Sequence, residues 1–123
     1  MKKNVAIKWL PKPADKDYPA ADSYLRLHCD EKRARALVKK LKRAAMSKFA
    51  AKDILRASGT PIAEIQAFDW LAQHNEVKEG KPLSPLLLVR AEFGRNLIIA
   101  DGFHRLCAVF AADQEALVPC KIV

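Results

Sequence analysis

The chain has 123 residues, half of them in the apolar set, which is enough for one hydrophobic core and too little for two ordinary domains. The apolar half excludes a disordered composition, and the formal net charge of +8 favours anionic partners. No apolar run reaches membrane-spanning length, and the basic start MKKNVAIKWLPKP lacks the continuous apolar stretch of a signal peptide. A single cytoplasmic domain over residues 1–123, with no membrane partner, is therefore expected.

In chain order, Asn4 to Leu10 alternates loosely and reads as a short edge strand, with Trp9 packing at its end. Pro11, Pro13 and Pro19 enforce an irregular connection, and Asp22 or Ser23 starts a short helix carrying Tyr24, Leu25 and Leu27. Asp30 is placed to cap a longer helix, with Glu31 in its first turn and Ala34, Leu37, Val38, Leu41 and Ala45 on one stripe. Ser47 is expected to cap a further helix containing Phe49, Ile54 and Leu55, stopped by Gly59. Between Glu31 and Arg56 stand ten Lys/Arg against two acidic residues, so the positive charge is concentrated there. Such a segment either meets a polyanion, nucleic acid included, or is a solvated helical face.

Thr60-Pro61 is a strong helix start, and Ile62, Ile65, Phe68, Trp70 and Leu71 feed a core from a helix that runs to Val77 and ends at Gly80. After a proline-marked loop, Leu86 to Val89 is an apolar strand, joined through Glu92 to Asn96 to a second strand at Leu97 to Ala100. A helix follows from His104 to about Ala112. Val118 to Val123 reads as a last strand that Pro119 assigns to a sheet edge. The fold class is α+β: a small mixed sheet packed against a layer of three or four helices. Cys29, Cys107 and Cys120 show no paired-knuckle spacing and read as free thiols rather than zinc ligands.

The most specific chemistry lies in LIIADGFHRLCAVF, Leu97 to Phe110. An apolar strand, an Asp-Gly turn and a helix start form the arrangement that aims backbone N–H groups at an anion. Arg105, in the first turn, is ill-suited to the helix dipole but well-suited to a phosphate. The bland alternative is a tight turn with a solvated arginine.

The segment GRNLIIADGFHRLCAVF resembles the signature of the ParB/sulfiredoxin-like fold, shared by the N-terminal domain of ParB partitioning proteins, sulfiredoxins and ADP-dependent free-serine kinases. The resemblance runs from about Ser84 to Val123. It implies a nucleotide-phosphate loop at Gly102, Phe103, His104 and Arg105, with Asp101 at the acidic position of the kinase-like D-G-x-H-R version. Phe103 stands where sulfiredoxins carry their catalytic cysteine, which argues against sulfinic-acid repair.

Two functions follow from these readings. One is a phosphotransferase or NTPase using ATP, ADP or CTP, with Asp101, His104 and Arg105 as catalytic residues. Asp101 would there hold Mg²⁺, and Asp53 and Glu92 are remoter candidates. The other is a non-enzymatic, nucleic-acid-associated protein that uses the 31–56 segment.

Overall fold

The computed structural model describes residues 6–61, 71–91 and 95–123. Among them the helices are α1 (Asp17–Leu25), α2 (Glu31–Arg43), α3 (Ala51–Ser58), α4 (Leu71–Lys78) and α5 (Phe103–Ala112). The strands are β1 (Met46–Ala50), β2 (Leu86–Val89), β3 (Ile98–Asp101) and β4 (Leu117–Ile122). They form one mixed sheet in the order β1-β4-β2-β3. β1 runs antiparallel to β4, β4 parallel to β2, and β2 antiparallel to β3.

The α+β class holds, but the helices do not form a single layer. All four residues of β2, Leu-Leu-Leu-Val, are buried, and a strand apolar at every position needs cover on both faces. Leu87 and Val89 pack with Ala100 under Tyr18, Ala21 and Leu25 of α1 and Ala34, Val38 and Leu41 of α2. Leu86 and Leu88 pack on the other face with Val118 and Cys120. There they meet Ile54 and Leu55 of α3, Val77 of α4, and Leu106, Cys107 and Val109 of α5.

Local signals explain much of α2 and α3. Asp30 caps α2 by accepting from the Arg33 backbone N–H at 2.8 Å. The far end of α2 is met by a buried lysine: Lys121 Nζ donates to the Lys42 carbonyl at 2.8 Å, which suits the negative end of the helix dipole. Lys42 and Lys121 also stand over the Tyr18 ring, at 5.6 and 5.9 Å from its centroid. Gly59 ends α3 in the left-handed region.

Three sequence expectations are corrected. Met46–Ala50 is a strand, not the start of a helix capped by Ser47. It pairs with β4 along its whole length, Met46↔Lys121 to Ala50↔Leu117, and a long-range partner outweighs the propensity of five residues. β4 lies inside the sheet rather than at its edge, despite Pro119. Val123 exchanges hydrogen bonds with Leu88 and Arg90, so alternate β4 residues, Pro119 among them, turn their backbone groups toward β2. Pairing with β2 begins only at Leu86↔Cys120, so the donor that proline lacks falls just before the ladder starts. Finally, α1 begins at Asp17 rather than Asp22 or Ser23, with Pro19 in its first turn, where an N–H has no intrahelical partner anyway.

Of the first predicted strand, residues 4 and 5 lie outside those described, and the described part makes one parallel bridge, Trp9↔Leu83. Thr60 and Pro61 follow α3 within the described residues, whereas Ile62, Ile65, Phe68 and Trp70 of the helix expected after them fall outside those described, as does most of the Glu92–Asn96 connection. No helix among the described residues is long and apolar enough to cross a membrane.

Candidate functional site: a basic groove beside the last strand–helix turn

β3 ends at Asp101, Gly102 turns the chain at φ 103°, and α5 starts at Phe103. The positive φ is one reason for glycine here, since an L side chain is strained there. Space is the other: a Cβ at Gly102 would lie 2.8 Å from Leu86 Cγ and 2.9 Å from Arg105 Nη2. The turn is thus pressed against the buried β2 strand. Gly102 has no side chain to cap α5, and no acidic residue occupies the first turn of that helix.

Arg105 faces inward. Its Nη2 donates to Asp101 Oδ2 at 3.0 Å and to Asp17 Oδ2 at 3.4 Å. Ser84 Oγ donates to the same Asp17 oxygen and itself accepts from the Ala14 N–H at 3.0 Å. Asp17 is almost fully buried. The network ties the start of α1, the residue pair before β2, the end of β3 and the first turn of α5 into one corner. It holds two carboxylates against one guanidinium, whose Nε is buried without a partner. Burial pushes the Asp101 carboxyl above its ordinary value; the Asp17 charge acts in the same direction and Arg105 opposes both.

On the outer side of the turn is an open groove of about 1260 Å³ along β3. Tyr24, His28 and Cys29 form one wall with Arg33 and Leu37 of α2; Ser58 and Thr60 lie at the end of α3. Arg90, Arg95 and Asn96 come from the residues between β2 and β3. Asp101, Gly102, Phe103 and His104 complete it. Three arginines and two histidines therefore face a single carboxylate among the described lining residues. Arg33, Arg90 and Arg95 have no carboxylate partner among the described residues, whereas Arg26 and Arg35 are paired with Asp22 and Glu31. Such a groove carries a positive field that complements an anion.

Of the residues singled out from sequence, Asp101, Gly102, Phe103 and His104 line this groove and Arg105 does not. The expected convergence of Arg105 with the backbone of residues 103–105 on one concavity is absent, because two carboxylates hold the guanidinium on the inner side. The ten Lys/Arg of residues 31–56 do not all share one surface: seven stand on α2, one on β1 and two on α3. They are divided among α2 on one face of the sheet, α3 on the other, and β1 at the edge, and only Arg33 reaches the groove. Lys52 is bound to Glu115 at 2.7 Å.

Mg²⁺ does not fit the residues at Asp101. No group of three His, Cys, Asp or Glu able to hold a metal occurs among the described residues. Asp101 Oδ2 already faces a guanidinium, Asp53 is an exposed α3 residue off the groove, and Glu92 lies outside the described residues. Cys107 and Cys120 are buried, with burial raising each thiol to about 11, whereas Cys29 is half-buried on the groove wall.

Asp17, Ser84, Tyr24, Arg90 and Arg95 carried no signal in the sequence. Asp17 and Ser84 meet across 67 positions, and no local periodicity encodes such a pair. Arg90 and Arg95 are recognisable only once β2 and β3 are seen to be antiparallel neighbours, which places the residues between them at one end of β3. Compared with protein-family models, with curated proteins and with solved structures, the chain finds no match in any of the three.

Proposed function

We propose that the groove binds the phosphates of a nucleotide at the start of α5. The observation that carries this reading is the charge of the groove: three arginines against one carboxylate among the described lining residues, on the flank of a helix N-terminus that no side chain of Gly102 caps. An anion there is favoured by the helix dipole and by first-turn N–H groups, and the arginines raise its local concentration. The resemblance of the 101–105 turn to the phosphate loop of the ParB/sulfiredoxin-like fold points to Gly102, Phe103 and His104 among the same residues, and to Arg105, which lies outside the groove. Arg105 serves this site from behind: it holds Asp101 and the turn, and does not contact the ligand. The reading is one of binding.

Calorimetric titration with ATP, ADP and CTP, against adenosine as the uncharged control, tests it. The nucleotides should bind and adenosine should not, and Arg90→Ala with Arg95→Ala should weaken ATP about threefold at low salt through the lost field. Adenosine binding as tightly as ATP, or no ATP binding at low salt, refutes the reading.

A further inference from the structure

We infer that the groove's occupant is a single-stranded nucleic acid a few residues long, lying along β3 with its bases on the Tyr24–His28 and Phe103–His104 ring pairs. This rests on the phosphate-binding reading and specifies the ligand class. Three observations carry it.

The first is the separation of the anion-seeking groups. The start of α5 follows Asp101 at one end of β3, whereas Arg90 follows β2 and Arg95 precedes β3, at the other end. A four-residue strand spans ~13 Å at about 3.3 Å per residue. Phosphates gathered at the helix start leave the two arginines unanswered. A backbone with phosphates at intervals answers both ends.

The second is the rings. Tyr24 and His28 stand 5.0 Å apart between centroids, and both line the groove, Tyr24 being 43% exposed. Phe103 and His104, 5.7 Å apart, line it at the start of α5. α1 begins beside Asp101, where Asp17 meets Arg105, and Tyr24 lies in its last turn, so the two pairs are carried by different walls. One base needs one platform, whereas two ring pairs in a groove lined by three arginines are the equipment of a single-strand groove, where rings stack bases and cations follow the backbone.

The third is size. At about 1260 Å³ the open groove exceeds the ~300–1,000 Å³ usual for a site shaped to one small ligand. A duplex presents its bases paired and stacked inward, out of reach of such rings, so the single strand is the form that the groove suits.

The test is calorimetry at low salt on the full chain with ATP, thymidine monophosphate, and oligothymidylates and oligouridylates of two, four and eight residues. Affinity should rise at least tenfold from monophosphate to four residues and level off by eight, for DNA, RNA or both. Tyr24→Ala should weaken the four-residue strand at least fivefold more than it weakens ATP, in a variant that still unfolds cooperatively in urea. ATP binding with four-residue strands no tighter than the monophosphate overturns this inference and leaves the phosphate reading standing. Wild-type strength of Tyr24→Ala toward the strand also overturns it. Absence of binding by nucleotides and strands alike overturns both.

Discussion

Replacing Gly102 with alanine isolates what the turn demands. Two costs add. The backbone sits at φ 103°, and forcing a Cβ into left-handed space costs about 1–2 kcal/mol. The new methyl would lie 2.8 Å from Cγ and 3.1 Å from Cδ1 of Leu86, a side chain with no exposed surface onto which to retreat. Its third neighbour, Arg105 Nη2 at 2.9 Å, is the end of a flexible side chain but is held by Asp101 and Asp17. Overpacking of this kind costs about 1–3 kcal/mol. The expected loss is therefore about 2–5 kcal/mol, a large part of a domain's typical ~5–15 kcal/mol. Gly80→Ala is the matched control. Its φ is 74°, but a Cβ there meets only Lys8 Nζ at 3.9 Å, so only the backbone cost, about 1–2 kcal/mol, applies. Urea unfolding followed by far-UV circular dichroism gives both values from midpoints at constant slope. If the two variants lose the same stability within 0.5 kcal/mol, the turn is not pressed on Leu86 and the account of this corner is wrong.

The raised Asp101 carboxyl sets a sign for the pH dependence of stability. Its folded value lies above the unfolded 3.8, so its contribution is fully present below 3.8 and is lost as pH rises through the folded value. Urea midpoints of wild type minus Asp101→Asn should therefore fall as pH rises just above 4, and a flat or rising difference contradicts the burial argument. Arg105→Ala leaves two carboxylates without their cation and should cost about 3 kcal/mol in the same assay; a loss below 0.5 kcal/mol would show that the arginine braces nothing. Among the thiols, Cys29 should react with an aromatic disulfide reagent at pH 8 in the native protein, and Cys107 and Cys120 only after denaturant is added, since both are buried and raised to about 11. Three thiols titrating together would contradict the packing of α5 and β4.

The parts of the fold that sequence made legible are those decided within a few residues. Asp30 before an amphipathic run, Gly59 after one, the all-apolar Leu86–Val89 and the Asp-Gly break before α5 each carry their own cause. What stayed hidden was decided at a distance. Met46–Ala50 has no strand pattern of its own and becomes one because β4 lies beside it. Pro119 pointed to an edge because a sequence does not show on which side of a strand a missing donor falls. In the site, the turn was visible and its surroundings were not. Arg105 reads as a ligand contact because it stands in the first helical turn after a glycine, whereas its partners in space are carboxylates from α1 and β3.

The exchange of roles between Arg105 and the groove arginines has an electrostatic logic. A phosphate site at a helix N-terminus is weakened by any carboxylate close to it, and this corner brings two, Asp17 from α1 and Asp101 from the end of β3. Asp17 is fixed there by Ser84 and so cannot turn away. Arg105, one turn into α5 and four residues after Asp101, is the group that neutralises most of that negative charge from the inner side. The dipole of α5 then faces the groove with less opposition, and the raised Asp101 value means that a proton can remove part of what remains. The positive charge that the proposed ligand would meet comes instead from arginines that neither α1 nor α5 carries: Arg33 from α2, and Arg90 and Arg95 from the residues joining β2 and β3. One arginine quiets the corner and three furnish the field. This division explains why an arginine can sit where the helix dipole disfavours it: its carboxylate partners, and not the dipole, set its energy.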